Sequence, residues 1–407
     1  MPESATKIVD GVYWVGVNDF DTPYFEGLWA LPNGMSYNSY LVRGNDKTAL
    51  IELVKEDYLD EYIARIEEIV PLEKIDYIIH NHMEPDHTGA IPEIYRRCPQ
   101  AKIFCTEKGK LFLEQFYQVG DGRITAVKDD DSLDLGGRTL KFYSYPWLHW
   151  PDTMFTYLEE DKILFPCDAF GGFGAVDQAL FDDEWDLESY WPESRRYLGT
   201  IVASYLQHVV RAIDKWVKGG QGIDILCPSH GPVYRQNPMA VISRYQEWAK
   251  NERGPKVVMI VGSMWGNTHL MGQIVKKRLI EKGLEVVYFD ASKAETGQVL
   301  GEMINAGGIV FGAPTYDASI YPKLEYYLML FRSKKKTGYP VGVFTQNSWN
   351  VNVLPKIKAY LQDMKAEIIS PEVVGHGAPN SEIRRELETM ADNLATKILN
   401  PCACTIS

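Results

Sequence analysis

The feature that most limits the fold of this chain is a regular alternation of apolar runs and amphipathic stretches, which begins with GPKVVMIVG at residues 254–262. Short apolar runs bounded by turn residues are typical of buried strands, and the stretches between them repeat with the period of a helix. Strands that alternate with helices form a doubly wound parallel sheet. We therefore predict five parallel strands, near residues 256–261, 285–289, 308–312, 340–345 and 366–369.

The sequence before residue 254 has a different pattern, in which short strand-like runs alternate with irregular loops rich in aromatic residues. A chain of 407 residues is long enough for about two or three domains. Gly254-Pro255 is the best candidate for a linker, because Gly and Pro interrupt regular structure. We predict one domain over residues 1–252 and a second over residues 255–400.

Charge and hydropathy exclude several classes of partner. The formal net charge is −13, and the longest basic run is the KKK at residues 334–336. These features argue against nucleic acid or an anionic membrane as a partner. No apolar run approaches the roughly 18 residues of a membrane helix, and the stretch MPESATKIVDG lacks the apolar core of a signal peptide. We expect a cytoplasmic protein.

The six cysteines form no C-x-x-C pair. Neither a disulfide scaffold nor a four-cysteine metal site is therefore expected. Cys402 and Cys404 could be redox-active, but two idle thiols near a frayed terminus are the favoured interpretation.

A cluster of metal-binding side chains follows one strand-like run of the first domain. KIDYIIH at residues 74–80 is typical of a strand, TGAIPEIYRR at residues 88–97 starts a helix, and NHMEPDH is the loop between them. A plain polar turn is the alternative to a metal site. We expect His80 to pack or to support the site from behind. The loop offers four groups that can bind metal: His82, Glu84, Asp86 and His87.

Three further candidate ligands lie where other predicted strands stop. His149 follows LKFYSYP, Asp168 ends KILFPCD, and His230 ends GIDILCPSH. Seven ligands are too many for one tetrahedral zinc and suit two metals that share an acid and lie about 3.5 to 4 Å apart. Carboxylate and imidazole without thiolate favour iron or manganese, although this ligand set rarely excludes zinc.

The order H-x-E-x-D-H, followed by a distant His, Asp and His, resembles the metallo-β-lactamase fold in its di-iron form, which occurs in flavodiiron proteins. Zinc hydrolases of that fold have H-x-H-x-D-H, so Glu84 is the most informative residue. The resemblance covers nearly the whole chain and implies an αββα sandwich followed by a flavodoxin-like domain. It also implies a ligand set for each iron: His82, Glu84 and His149 for one, Asp86, His87 and His230 for the other, and Asp168 as the bridge.

Three loops of the second domain leave the same predicted edge of its sheet. Residues 263–268 lead into a helix, and their hydroxyls and backbone amides can hold a phosphate without Lys or Arg. A capped helix after a turn, with no ligand, is an equal alternative. GAPTYDASIYP at residues 312–322 and QNSWN at residues 346–350 follow later strands. Tyr316 and Trp349 could flank a flat ring.

These loops resemble those that hold flavin mononucleotide (FMN) in flavodoxins. They depart from the flavodiiron pattern in the third loop, which is usually glycine-rich and here is QNSWNVN. The residues predicted to bind FMN are Ser263, Met264, Trp265, Gly266, Asn267, Thr268, Pro314, Thr315, Tyr316, Asp317, Ala318, Asn347, Ser348, Trp349 and Asn350.

A flavin together with two ferrous ions stores four electrons, which matches reduction of dioxygen to two waters. The family also contains nitric oxide reductases, and the residues leave that choice open. The chain has neither a rubredoxin module nor a G-x-G-x-x-G nicotinamide motif, so an external electron donor is expected. The two-domain form and the altered flavin loops most resemble the methanogen-type oxidases, which implies reduced coenzyme F420 as the donor. Rubredoxin is the alternative.

Two hypotheses of other functional classes remain: a binuclear zinc hydrolase with a flavodoxin-like appendage, and an electron carrier that uses the flavin alone.

For the oxidase, the short connection at residues 251–255 suggests that the flavin and irons of one chain lie far apart. The resemblance implies oligomers built from head-to-tail homodimers, in which each flavin lies against the irons of the partner chain.

Overall fold

The computed structural model describes residues 4–119, 122–349 and 351–400. The chain divides into two compact units, with the boundary between Lys250 and Asn251. Cys402, Cys404 and Asn350, which the sequence singles out, lie outside the described residues. No helix among the described residues combines the length and the apolar character needed to cross a membrane.

The first unit contains many short strands and few long helices. Its strands are β1 (Thr6–Val9), β2 (Val12–Trp14), β3 (Val17–Asp19), β4 (Tyr24–Phe25), β5 (Trp29–Ala30), β6 (Met35–Tyr37), β7 (Tyr40–Arg43), β8 (Thr48–Ile51), β9 (Tyr77–Ile79), β10 (Lys102–Cys105), β11 (Ile124–Ala126), β12 (Ser132–Asp134), β13 (Thr139–Ser144), β14 (Met154–Leu158), β15 (Ile163–Phe165) and β16 (Ile225–Leu226). Its helices are α1 (Leu59–Glu67), α2 (Pro85–Thr88), α3 (Ile91–Arg97), α4 (Glu107–Tyr117), α5 (Leu187–Tyr197), α6 (Leu206–Gly219) and α7 (Pro238–Lys250).

Two sheets of this unit pack face to face. One has the order β1-β2-β7-β8-β9-β10-β11, and the other has the order β12-β13-β14-β15-β16. Trp14, Tyr40 and Ile79 from the first sheet and Phe142 and Phe165 from the second belong to one buried core. Apolar residues on the facing sides of both sheets are what join a sandwich of this kind. The αββα prediction is confirmed.

The second unit has the alternating strands and helices that the sequence predicts. Its strands are β17 (Lys256–Val261), β18 (Glu285–Asp290), β19 (Gly308–Tyr316), β20 (Ser319–Ile320), β21 (Pro340–Asn347) and β22 (Glu367–His376). Its helices are α8 (Asn267–Glu281), α9 (Thr296–Glu302), α10 (Pro322–Ser333), α11 (Leu354–Asp363) and α12 (Ser381–Leu399).

The main path of the sheet has the order β18-β17-β19-β21-β22, and every pair along it is parallel. This is the flavodoxin-like order, with the change of winding direction beside β17. Ligands of such sheets bind at the carboxyl ends of the strands beside that point. The predicted flavodoxin-like fold is confirmed, and the sheet places the loops after β17, β19 and β21 at one edge.

Two strands, β19 and β22, extend furthest beyond their predicted ends. β22 continues through Pro371 to His376, well beyond the predicted end at residue 369. Because β22 is the last strand of the sheet, Pro371 can lie on a side where no ladder hydrogen bond is required. β19 continues to Tyr316 because its last residues pair with β20, as Thr315 with Ile320 and Tyr316 with Ser319.

Candidate di-metal and flavin sites

The histidine- and acid-rich loop after β9 contains more regular structure than predicted. The sequence suggested a plain loop up to His87, but Pro85–Thr88 form a one-turn helix, α2, and the next helix starts at Ile91. Pro85 favours the first position of a helix because its φ angle is already helical. The hydroxyl of Thr88 donates a hydrogen bond to the carbonyl of Glu84 over 2.9 Å. This turn carries Asp86 and His87 into the protein interior.

Each of the other predicted metal ligands follows the end of a strand. His149 lies after β13, Asp168 after β15 and His230 after β16. β15 stops at Phe165, so Asp168 belongs to the following turn rather than to the strand itself. His149, Asp168 and His230 are all buried.

The structure brings all seven predicted ligands together in two groups. In the first metal pocket, defined by His82, Glu84 and His149, Glu84 Oε2 lies 3.2 Å from His82 Nε2 and 3.1 Å from His149 Nε2. In the second metal pocket, defined by Asp86, His87 and His230, Asp86 Oδ1 lies 3.4 Å from His87 Nε2, and Asp86 Oδ2 lies 3.3 Å from His230 Nε2.

Asp168 faces both pockets with different oxygens. Its Oδ2 lies 3.5 Å from His82 Nε2 and 3.1 Å from His149 Nε2. Its Oδ1 lies 2.9 Å from His87 Nε2 and 3.3 Å from His230 Nε2. One carboxylate can therefore serve both pockets, as a bridging ligand in a two-metal site does.

The chemistry of the buried donor atoms fits metal ions. Several of these buried atoms have no hydrogen-bond partner of acceptable geometry among the described residues. They are Nε2 of His149 and of His230, both ring nitrogens of His87, both oxygens of Asp86 and Oδ1 of Asp168. Buried polar atoms are rarely left unpaired, because desolvation without a partner is costly. Nitrogen and carboxylate oxygen atoms that converge on common centres are also the ligands that iron and manganese prefer.

Carboxylates in the pockets favour positive charge on the histidines. Burial opposes protonation of His149, but Asp168 and Glu84 raise its pKa to about 9. Burial likewise opposes protonation of His230, but Asp168 and Asp86 raise its pKa to about 10. Burial opposes ionisation of Glu84, yet His149 and His82 lower its pKa to about 2. Metal cations can replace these protons.

Groups behind the ligands orient two of the rings. His82 Nδ1 lies 3.4 Å from Asp152 Oδ2, which also accepts a hydrogen bond from the Met83 backbone over 2.8 Å. His230 Nδ1 lies 2.7 Å from the carbonyl oxygen of Ser36. The sequence did not point to Asp152, although it lies in WLHWPDT, the stretch that contains His149.

A cleft at the carboxyl ends of β17, β19 and β21 gathers most of the predicted FMN-binding residues. The helix α8 begins at Asn267, directly after Gly266, whose φ of 96° favours glycine. The hydroxyl of Ser263 accepts a hydrogen bond from the Gly266 amide over 3.0 Å. The cleft is lined by Ser263, Met264, Trp265, Asn267, Thr268, Pro314, Thr315, Asp317, Ala318, Gln346, Asn347, Ser348 and Trp349.

Among the described residues, two of those predicted do not line this cleft. Gly266 contributes no side chain, and Tyr316 packs edge-on against Tyr321 with ring centres 6.4 Å apart. Thr315 and Asp317 on either side of Tyr316 line the cleft, whereas the Tyr316 ring packs on Tyr321. The sequence missed Gln346, although it is the first residue of the quoted QNSWN stretch.

These features define a class: a two-domain protein with a paired-metal site in a β-lactamase-like sandwich and an anion-binding cleft in a flavodoxin-like domain. Residues 35–231 match the family described as ODP family beta lactamase, and residues 259–389 match Flavodoxin.

Known proteins resemble nearly the whole chain. The nitric oxide reductase of Moorella thermoacetica is 33% identical over 396 residues, which cover 96% of this chain and 98% of that protein. The coenzyme F420H(2) oxidase of Methanothermobacter marburgensis is 35% identical over 341 residues, 82% of this chain and 83% of that one. The solved rubredoxin oxygen:oxidoreductase of Desulfovibrio gigas is 29% identical, with a TM-score of 0.94 over 98% of this chain and 100% of that chain.

The chain belongs to the flavodiiron protein family. Its cofactors are accordingly FMN and a di-iron centre, which agrees with the two groups of buried metal-competent side chains.

The raised pKa values of His149 and His230 predict that metal binding releases protons. The ring nitrogens must be neutral to bind a metal, so apoprotein prepared by chelation should release roughly two or more protons per chain at pH 7.5. The release should disappear as pH rises past about 10, and metal affinity should increase over the same range. Isothermal titration with Zn²⁺ in buffers of different ionisation enthalpy measures this number. A value of zero at pH 7.5 would contradict the charge distribution described above.

Replacing the shared carboxylate should disrupt metal binding without affecting the flavin cleft. Asp168→Ala leaves two cations without the negative charge between them, so we expect loss of at least one iron per chain and unchanged FMN content. Elemental analysis and flavin absorbance measure both quantities. Asp224→Ala is the matched control, because Asp224 is an exposed acid of the same unit and forms an ion pair with Lys162 at 3.6 Å. If Asp168→Ala retains two irons per chain, Asp168 is an ordinary turn residue and not a bridging ligand.

Proposed function

We propose that this protein reduces dioxygen to water at two irons, with electrons that pass through FMN and come from reduced coenzyme F420. The observation that carries the proposal is the Asp168 carboxylate, whose two oxygens face two separate groups of nitrogen and oxygen ligands. Glu84 stands where zinc hydrolases of this fold have histidine. Its carboxylate gives the first pocket a harder oxygen ligand, which suits iron.

The bound cofactors supply the electrons: reduced FMN and a ferrous pair together provide the four that dioxygen requires. The residues of the chain bind and orient these groups. His82, Glu84 and His149 would hold one iron, Asp86, His87 and His230 the other, and Asp168 would join them. The amino end of α8 and the Ser263, Asn267 and Thr268 side chains would hold the FMN phosphate without a cationic residue.

Aromatic side chains limit water around the first metal pocket. The Trp150 ring lies 5.0 Å from the His82 ring and also contacts Phe112 and Phe116 of α4. A site enclosed by apolar rings strengthens electrostatic interactions within it and hinders the escape of reactive species. This environment supports reduction that runs to completion.

The choice of donor follows the similarity to the M. marburgensis coenzyme F420H(2) oxidase, the more identical of the two curated relatives described above. Nitric oxide reduction is the second candidate function, because the M. thermoacetica nitric oxide reductase is similar over 96% of this chain. Rubredoxin is the second candidate donor, as the name of the D. gigas enzyme indicates.

A comparison of two donors and two gases tests the proposal. Anaerobic protein containing FMN and iron is mixed with F420H2 or reduced rubredoxin, and consumption of dioxygen or nitric oxide is then followed by electrode. We expect F420H2 to bleach the flavin rapidly and dioxygen to be consumed faster than nitric oxide. Catalase should return no dioxygen, because no peroxide is released.

His149→Asn with His230→Asn is the control for the role of the metals. Oxidase turnover retained by this variant would favour an electron carrier that uses flavin alone. Faster turnover of nitric oxide would establish the second candidate function, and flavin bleaching by rubredoxin alone would replace the donor. Zinc content with hydrolytic activity would point to the hydrolase hypothesis.

We also propose a head-to-tail homodimer, which would bring the FMN of one chain to the metal pockets of its partner. Large apolar side chains are exposed in each unit beside its own site. Trp265 and Trp349 of the FMN cleft are 92% and 77% exposed, and Trp147 and Phe116 beside the first metal pocket are 46% and 48% exposed. Exposed apolar groups gathered at a functional site are typical of a contact surface.

Mixing two inactive variants tests this assembly. Asn267→Trp with Thr268→Arg blocks the phosphate loop, and His82→Ala with His230→Ala removes metal ligands from both pockets. If electrons cross between chains, co-expressed heterodimers pair one intact flavin with the other chain's intact irons and recover part of the activity. If electrons travel within one chain, every heterodimer lacks a complete path and the mixture stays inactive.

A further inference from the structure

We infer that Tyr117 is a positioning residue for the second metal pocket. Its hydroxyl donates a hydrogen bond to Thr88 Oγ1 and so fixes the one-turn helix α2, which carries Asp86 and His87. This inference rests on the proposed roles of Asp86 and His87 as metal ligands, and it adds a residue that lies outside the ligand set.

The helix α2 depends on contacts with other segments. It has a single turn, Pro85–Thr88, and a helix of that length is unstable alone, because few hydrogen bonds offset the cost of fixing its backbone. The Leu53 amide supplies one contact by donating a hydrogen bond to the His87 carbonyl over 3.0 Å. Side-chain contacts at Thr88, the last residue of the turn, supply another. These contacts set the directions in which Asp86 and His87 enter the interior.

Thr88 connects the turn to Tyr117 through its hydroxyl group. The Thr88 side chain is buried, and its Oγ1 lies 2.9 Å from the Glu84 carbonyl and 3.4 Å from the Met83 carbonyl. The Tyr117 hydroxyl oxygen lies 2.7 Å from the same Oγ1. A hydroxyl has one hydrogen, and a carbonyl can only accept, so Thr88 donates to the backbone and Tyr117 donates to Thr88. Burial raises the pKa of Tyr117, which therefore keeps its hydrogen.

The helix that carries Tyr117 also contacts the first metal pocket. Tyr117 is the last residue of α4, and the chain turns away at Gln118, whose φ is 56°. Phe112 and Phe116 of the same helix pack against Trp150, the ring beside the first metal pocket. The position of the Tyr117 hydroxyl is therefore fixed by a helix that lies against both pockets.

The two ligands in the turn have no support of their own. Hydrogen-bonding groups behind the rings of His82 and His230 orient those two ligands. Neither oxygen of Asp86 and neither ring nitrogen of His87 has a hydrogen-bond partner among the described residues. Groups that orient metal ligands strengthen metal binding. For Asp86 and His87 this orientation comes through the backbone of the turn, and so through the hydrogen bond from Tyr117.

Tyr117→Phe is the sharpest test, because it removes the hydroxyl and keeps the ring. Loss of one hydrogen bond should weaken binding of the second metal ion by about 3- to 10-fold. The first ion should be less affected, because only Glu84 of its three ligands adjoins the turn, and FMN content should not change. Anaerobic competition with a chelator, using Fe²⁺ alone, measures the affinity of each ion.

A double-mutant cycle with Thr88 separates positioning from general destabilisation. In a Thr88→Val background, Tyr117→Phe should cause no further loss of iron affinity, because the group that accepts its hydrogen bond is gone. Thr88→Ser retains the hydroxyl and should bind both ions as the unsubstituted protein does. An equal loss from Tyr117→Phe with and without the Thr88 hydroxyl would overturn the inference.

Tyr157→Phe is the matched control. The Tyr157 hydroxyl donates a hydrogen bond of 2.8 Å to the Gly222 carbonyl in the same unit and contacts no ligand-bearing turn. Its removal should leave the affinity of both ions unchanged. If Tyr157→Phe weakens iron binding as much as Tyr117→Phe does, the effect is general and the inference fails. Thermal unfolding of the iron-free variants measures any difference in stability.

The remaining outcomes distinguish the two levels of the proposal. If the unsubstituted protein fails to bind two irons, the ligand assignment fails. If it binds two and Tyr117→Phe binds both with unchanged affinity, only the role of Tyr117 fails. Mössbauer spectra of ⁵⁷Fe identify which ion is lost, with Asp152→Asn as the reference variant, because Asp152 lies behind His82 of the first pocket. Selective loss of the first ion in Tyr117→Phe would also overturn the inference.

Discussion

The shared carboxylate of Asp168 is the interaction on which the metal-binding half of the molecule depends. It is 1% exposed and lies within 3.5 Å of nitrogens from four histidines. A buried carboxylate is costly unless positive charge compensates it, and a pair of metal ions provides that charge. The four histidines follow strands of both sheets, since β9 precedes His82 and His87 whereas β13 and β16 precede His149 and His230. The packing of one sheet on the other therefore sets the geometry of the pockets.

The flavin cleft of the second unit, unlike the metal pockets, is lined mostly by neutral groups. It is lined by neither Lys nor Arg among the described residues. Backbone amides at the start of α8 and small polar side chains are the groups available to an anion there. Neutral donors can hold a phosphate there. The nearby Lys356 ammonium donates a hydrogen bond to the carbonyl of Ala318 over 2.9 Å and is not part of the lining of the cleft.

The sequence was sufficient for the features that follow from periodicity and strand ends. The five parallel strands of the second unit could be predicted because buried strands are continuous apolar runs. The seven candidate ligands could be found because loops at strand ends carry polar residues whose chemistry is specific. The turn at Pro85–Thr88 was missed because the polar composition of the loop does not reveal the local hydrogen bond from Thr88 to Glu84. The end of β22 was missed because its pairing with β21 continues past Pro371 to His376. Asp152 is 70 residues from His82 in the sequence, and only the folded chain brings it behind that ring.

The spacing of the metal ligands along the chain also affects the stability of the first unit. They come from four separate segments of the first unit, from His82 to His230, and none comes from the flavodoxin-like unit. Ions bound to all four segments act as reversible cross-links that close long loops and remove conformational freedom from the unfolded chain. Iron binding is therefore expected to govern how long the first unit resists proteolysis, whereas FMN binding governs the second. The two halves of the protein thus depend on different cofactors for their resistance to unfolding.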